Sequence, residues 1–239
     1  MTGGLPRALL LDLDDTILRY GAGDGLWREV VGSFAAAQPV APVRLLEAID
    51  AVRGPFWADP RRSRVARQDM FAARRTILAE AFGRLGLPRD GELVREVADA
   101  FSAAREARVE PFPGAVEALA ELRRRGHALG LLTNGGARLQ RAKLERHDLG
   151  RFFDSVRIEG EVGVGKPEPA AFAMALAALG ARPEEACMIG DDLEADVAGG
   201  RAAGLVTVWI DHAGVGVPRD ARVRPDRSVR ALAELLSPD

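Results

Sequence analysis

Three acids close a short apolar run at the start of the chain: Ala8-Leu9-Leu10-Leu11-Asp12-Leu13-Asp14-Asp15-Thr16. A buried strand normally ends in turn residues, and this one ends in carboxylates two apart. Strand residues at i and i+2 point to the same side. Asp12 and Asp14 therefore leave a sheet together at its carboxyl end, where open α/β sheets place their ligands. Two carboxylates there repel each other unless a cation or a shared proton offsets the charge. A divalent metal with one nucleophilic and one acid/base aspartate accounts for the pattern. A helix-capping cluster is the alternative, since Asp and Thr both cap well.

Three further stretches carry chemistry. Leu131-Leu132-Thr133-Asn134-Gly135-Gly136 ends an apolar run in a hydroxyl, an amide and two glycines, which offer donors to an oxyanion or make a plain Asn-Gly turn. Gly160-Glu161-Val162-Gly163-Val164-Gly165-Lys166-Pro167 has the spacing of a nucleotide-binding P-loop, but Pro167 stands where a magnesium-binding hydroxyl belongs. That reading is rejected. What it leaves is a lysine in a Gly-rich loop, either a point charge for a phosphate or carboxylate or a solvated side chain. Met188-Ile189-Gly190-Asp191-Asp192, with Asp196 one turn on, again sets acids at the end of an apolar run. Oxygen ligands without a His or Cys cluster suit magnesium better than zinc. His127, His147 and His212 are scattered and receive no role; surface or loop positions are expected.

The elements that must position these residues follow from periodicity. Ala8–Leu11, Ala128–Leu132, Ala186–Ile189 and Val206–Ile210 read as buried parallel strands, with a weaker one at Ser155–Ile158. Helical patterns follow at Ala115–Arg125, Arg138–His147, Pro169–Leu179 and Leu193–Ala203. This alternation predicts an α/β fold with a doubly wound parallel sheet. Between the first two strands the pattern is helical throughout, as at Gly25–Ala37, Pro42–Val52, Arg67–Leu85 and Glu92–Arg108. We expect a core from 1–18 and 110–239, and an inserted all-helical cap over 19–109, placed where a lid belongs. Arg222–Asp239 reads as a turn and a final helix capped by Ser228.

The bulk numbers exclude other classes. At 239 residues and a formal charge of -2, the chain has no basic field for a nucleic-acid backbone. One cysteine, Cys187 in an apolar run, permits no internal disulfide and reads as a small buried hydrophobe. No apolar stretch approaches the ~20 residues of a membrane span. A cytoplasmic protein is expected, with neither membrane nor nucleic-acid partners, as monomer or homodimer.

Taken in order, these motifs resemble those of the haloacid dehalogenase-like (HAD) hydrolases. Asp12-Leu13-Asp14-Asp15-Thr16 is similar to the first motif of the phosphatase branch, Thr133-Asn134 to the second, Lys166-Pro167 to the third, and Gly190-Asp191-Asp192 through Asp196 to the fourth. The helical insert resembles the family's C1 cap. Thr133-Asn134-Gly135 with Gln140 and Lys143, and Gly160-Glu161-Val162-Gly163 before Lys166, look closest to the subgroup of N-acetylneuraminate-9-phosphatase, pyrimidine 5′-nucleotidases and 2-haloacid dehalogenases.

The resemblance implies a phosphatase acting on a small phosphomonoester, such as a sugar phosphate, a phosphoglycolate-like acid or a nucleoside monophosphate. Asp12 would become an aspartyl-phosphate, and Asp14 would protonate the leaving alcohol and then activate water. Asp12, Asp191 and a main-chain carbonyl at Leu13 or Asp14 would ligate Mg²⁺. Thr133, Asn134 and Lys166 would hold phosphoryl oxygens, with Asp192 and Asp196 behind them orienting Lys166 or the metal's waters. A dehalogenase needs no acid for a halide leaving group, so Asp14 favours the phosphatase. A phosphomutase would keep Asp14, and a phosphorylated receiver module would lack the long insert. Substrate choice is expected in the cap, where Tyr20, Trp57, Arg61 and Arg64 would meet an anionic or planar leaving group unless they are cap core and solvated helix.

Overall fold

The computed structural model describes residues 4–20 and 23–236. In chain order its regular elements begin with β1 (Ala8–Leu11) and β2 (Leu18–Tyr20). Five helices follow: α1 (Gly23–Ser33), α2 (Pro42–Ala58), α3 (Pro60–Ala66), α4 (Met70–Arg84) and α5 (Glu92–Ala107). Then come β3 (Val109–Pro111), α6 (Ala115–Arg124), β4 (Ala128–Thr133), α7 (Ala137–Arg146), β5 (Ser155–Ile158), α8 (Glu159–Val162) and α9 (Pro169–Leu179). The chain closes with β6 (Ala186–Gly190), a π-helical turn (Leu193–Ala198), α10 (Gly199–Ala202), β7 (Val206–Ile210), β8 (Arg227–Val229) and a 3₁₀ turn (Leu232–Leu236). Two compact units result, one of Met1–Arg19 with Glu110–Asp239, the other of Tyr20–Val109.

The first unit is built on a six-stranded sheet in the order β5-β4-β1-β6-β7-β8, with every neighbouring pair parallel. Its strands are apolar on both faces because both faces are covered. Leu10, Leu132, Ala186 and Met188 pack with Phe172, Ala175 and Leu179 of α9, while the alternate residues Leu9, Leu11, Leu131 and Ile189 are equally buried. Gly130 lets β4 approach this layer, since a Cβ there would meet Leu10 Cδ2 at 2.8 Å and Leu179 Cδ1 at 3.0 Å. After β5 the chain crosses β1 to start β6, so the order reverses at β1. Leu11 pairs with Leu131 on one side and Ile189 on the other. That register brings the residues after β1, β4 and β6 to one edge.

The second unit has its own apolar core, including Leu26, Val31, Ile49, Phe56, Leu78 and Phe101. Trp27 stacks on Phe101 with ring centroids 3.7 Å apart and 9° between planes. Asp59 caps α3 through the Arg61 and Arg62 N–H groups, and Asp69 caps α4 through those of Phe71 and Ala72.

Several local expectations are corrected. α2 runs past Val52 through Pro55 to Ala58, because Phe56 is buried in the core. α3 was not anticipated, and Asp69 breaks the helix expected over Arg67–Leu85. β2 and β3 pair as a two-stranded ribbon at the crossings between the units, where only helix was expected. Ser228 caps no helix: it lies in β8, opposite Trp209. Among the described residues no helix is long and apolar enough to cross a membrane.

Phe172 carries the contact between α9 and the sheet and is fully buried. Phe172→Ala should lower unfolding stability by about 3–5 kcal/mol, measured by urea denaturation; a loss under about 1 kcal/mol would mean that the site's scaffold does not rest on this layer.

Candidate active site

β1, β4 and β6 end side by side, and the Asp12 N–H donates to Ile189 O at 3.0 Å. Asp12 is buried at this edge. The chain then turns back on itself. The Leu13 carbonyl accepts from the N–H groups of Ile17 and Leu18, both at 2.9 Å, and Asp15 takes the left-handed conformation at φ 55°. With both acceptor directions committed, the Leu13 carbonyl does not suit a metal ligand. Of the Leu13/Asp14 pair of carbonyls named as alternatives, that leaves Asp14.

Lys166 reaches the same edge from the loop after α8. Its Nζ donates to Asp12 Oδ1 and Asp196 Oδ1, both at 2.6 Å. The loop is tight, because a Cβ on Gly165 would lie 2.6 Å from Glu159 Cδ and 2.7 Å from Asn134 Oδ1. Asn134 pins it further. Its Nδ2 donates to Lys166 O and its Oδ1 accepts from Lys166 N, both at 2.8 Å. The amide expected to hold phosphoryl oxygens is thus engaged with the Lys166 backbone. The Lys166–Pro167 peptide is cis.

Asp196 comes from the π-helical turn, where a widened i→i+5 bond from Val197 N to Asp192 O replaces regular α-helix. This corrects the single helix expected over Leu193–Ala203. The wide turn carries the Asp196 carboxylate back over Gly190. A Cβ on Gly190 would lie 2.1 Å from Asp196 Oδ2, so only glycine fits. Asp196 Oδ2 also accepts from Asp192 N at 3.0 Å. The Asp192 side chain caps the turn through the Glu194 and Ala195 N–H groups, both at 2.8 Å. Its carboxylate is bonded to neither Lys166 nor Asp196, so of the two roles expected for it, orienting Lys166 is not seen.

Asp191 accepts from Thr16 Oγ1 at 3.2 Å, and its carbonyl accepts from Trp209 Nε1 at 2.6 Å. Asp12, Asp191 and Asp196 each offer an oxygen, and the three lie within 4.8 Å of one another. Both Asp196 oxygens already serve Lys166 and the Asp192 N–H, so Asp12 and Asp191 are the better metal ligands. The oxygen-only donor set fits a hard divalent cation. Burial, chiefly, pushes Asp12 up to about 7; Lys166 opposes the shift, and Asp196 and Asp14 add to it. Asp191 is pushed up to about 8, by burial first and then by Asp12, Asp196 and Asp15. Burial works against the Lys166 charge, yet Asp12 and Asp196 outweigh it and hold the ammonium above the usual lysine range. Acids outnumber the cation here, which is the condition a divalent ion relieves.

Asp14 is held apart from this cluster. Lys143 Nζ donates to both its oxygens at 2.8 and 2.9 Å, and Gln140 Nε2 donates to Oδ2 at 2.9 Å. Gln140 also donates to the buried Thr133 hydroxyl at 2.8 Å. Neither Gln140 nor Lys143 was given a role from sequence. Their signal was positional: they share a stripe of α7 with buried Leu144 at i, i+3 and i+4, and both are buried despite being polar. Tyr20, Trp57, Arg61 and Arg64 belong to the helical unit or its start. Trp57 lines a cavity there, Tyr20 lies under Arg105, and Arg61 and Arg64 are exposed on α3. The three histidines lie in loops as expected, but half-buried rather than on the surface.

A family model for haloacid dehalogenase-like hydrolases matches residues 6–204. The phosphoserine phosphatase of Thermus thermophilus is 44% identical over 96% of this chain and 98% of that protein. The pyrimidine 5′-nucleotidase YjjG of Escherichia coli is 32% identical over 95% of each. Among solved structures, the HAD-hydrolase YfnB of Bacillus subtilis, bound to magnesium, aligns over 97% of both chains with TM-score 0.73 at 24% identity, a likeness of fold.

The raised carboxylates make a stability prediction. A carboxyl group whose folded pKa exceeds its unfolded value stabilises the fold below about pH 4, and this is lost as pH rises through the folded value. In EDTA, the melting temperature should therefore fall from above about pH 4 and level off above about pH 8, once both Asp12 and Asp191 have ionised. Asp191→Asn should flatten that fall. An equal fall in variant and parent would refute the assignment.

Proposed function

We propose a reaction course from one fixed point: the chain belongs to the haloacid dehalogenase-like hydrolases. It hydrolyses a small phosphomonoester in two steps. An Asp12 oxygen attacks phosphorus, the ester P–O bond breaks, and Asp14 gives its proton to the departing alkoxide. Water then attacks the aspartyl-phosphate, Asp14 takes the water's proton, and the bond from phosphorus to Asp12 breaks to release phosphate.

The observation that carries this reading is Asp14, two residues after Asp12 and anchored by Lys143 and Gln140. A phosphate ester has a basic alkoxide to discharge and needs such a group; a halide does not. Lys143 donates to both Asp14 oxygens and Gln140 to one of them. Lys143 and Gln140 thereby set its resting place. Lys166, fixed by Asn134 and Asp196, holds positive charge against the phosphoryl oxygens without reorganising as the transition state forms. The Thr133 hydroxyl, at the end of β4, is the neighbouring donor. Asp12, Asp191 and the Asp14 carbonyl would hold Mg²⁺, whose contribution is to neutralise phosphoryl charge.

The names of the relatives point to O-phospho-L-serine, nucleoside 5′-monophosphates and sugar phosphates as the first substrates to compare. Phosphate release from this panel should require Mg²⁺ and stop in EDTA, with no halide released from 2-chloropropionate. Asp12→Asn should lower kcat by roughly three orders of magnitude or more in a protein that stays folded by circular dichroism. Halide release with no phosphate release would reverse the reading.

Lys143→Met should lower kcat about 10- to 100-fold with KM nearly unchanged, because it disturbs an acid/base group and not substrate binding. An unchanged kcat, or a loss confined to KM, would remove Lys143 from the mechanism.

A further inference from the structure

We propose that the helical unit contains a binding site of its own, a cavity floored by Arg74 that takes a small planar carboxylate. The cavity has a volume of about 290 Å³, near the lower end of small-molecule pockets at ~300–1,000 Å³. α1, α2, α4 and α5 all contribute to its walls. Trp27, Trp57 and Phe101 supply aromatic surface, and Arg53, Arg74 and Arg105 supply three cations. Among the described residues no acid is part of the lining.

The three arginines are not equivalent. Arg53 is half-buried and pairs with Asp50 at 2.9 Å. Arg105, also half-buried, lies over the Tyr20 ring at 4.1 Å. Arg74 is 3% exposed. Its Nη2 donates to Glu106 Oε1 at 3.2 Å, and its Nη1 is buried without a hydrogen-bond partner. A guanidinium N–H left unmatched in an apolar wall is costly, and a charged acceptor relieves that cost most fully. Burial also pulls the Arg74 pKa below the usual arginine value, although Glu106 opposes this, as expected of a cation short of counter-charge.

The charge of the lining selects among anions. Two of the three cations already meet a carboxylate, Arg53 at Asp50 and Arg74 at Glu106, so the lining carries little free positive charge, which suits a monoanionic carboxylate rather than a phosphate dianion. Trp27 and Phe101 are stacked on each other, so the half-buried Trp57 offers the ring surface on which a flat apolar body behind that carboxylate can lie. Every lining residue belongs to the helical unit, so such a ligand is an effector separate from the reacting phosphoester.

Benzoate, with benzamide as its uncharged isostere, tests the site by isothermal titration calorimetry on the full-length protein. We expect saturable one-to-one binding of benzoate and about tenfold or weaker binding of benzamide. Arg74→Gln should abolish benzoate binding, and Asp12→Asn should leave it unchanged. No saturable binding of benzoate by the parent protein would overturn the proposal, and so would equal affinity for benzamide, a comparison that needs no variant to fold. Loss of benzoate binding in Asp12→Asn would also overturn it, since the ligand would then sit in the other unit. The binding arm needs no phosphatase activity, so it stands or falls separately. Where p-nitrophenyl phosphate is hydrolysed, a change in kcat without competition supports the effector, and competitive inhibition by benzoate would overturn it.

Discussion

The Lys166 ammonium, buried between the Asp12 and Asp196 carboxylates, is the interaction on which the rest of the site depends. A buried lysine keeps its charge only where anions repay the lost hydration, and a pair broken on one side leaves an uncompensated charge. Each neighbouring oddity follows from that demand. Asp196 gets there through a π-helical turn, and the turn fits because residue 190 has no side chain. Lys166 gets there because Asn134 grips both polar groups of its backbone and Gly165 lets the loop press against Glu159. Asp12 gets there because β1 is held in register between β4 and β6. Movement in any of these would separate the ammonium from a carboxylate.

The two lysines divide the labour of the acids. Lys166 serves Asp12 and Asp196 in the buried cluster, and Lys143 serves Asp14 at its margin. Asp14 is also the more exposed of the two β1 aspartates, with 28% of its side chain accessible against 11% for Asp12. A group that exchanges protons with substrate and water benefits from that access. A group that forms a bond to phosphorus benefits from being fixed.

The strands and the order of the motifs were legible because buried parallel strands are unbroken apolar runs. Ser155–Ile158 and Val206–Ile210 appear with the bounds that the residues suggested. What escaped notice depends on tertiary contacts. Nothing local says that Pro55 lies inside a helix, since the reason is Phe56 anchored in a core assembled from distant segments. Asp69 is one acid among several until its two backbone partners are seen. In the site, residue types pointed to the right positions, but hydrogen bonds decided their partners. Leu13 proved unsuited to a metal because a turn engages its carbonyl twice, and Asp192 commits one oxygen to capping the turn that follows it. Gln140 and Lys143 were visible as motif letters and became interpretable only once α7 showed which way they face.

The insertion of the helical unit has a kinetic side. Ala8 pairs with Ala128, so β1 must find β4 across a separation of 120 positions, most of them in that unit. For a flexible chain the entropic cost of closing such a loop grows only slowly, by about 0.6 kcal/mol per doubling of length, but distant pairing is slow to search. The ribbon of β2 and β3 draws together the two points where the chain enters and leaves the unit. Once the helices have folded and that ribbon has formed, the long loop is already tied at its base. The central strand then meets its partners as though the intervening segment were a short connection.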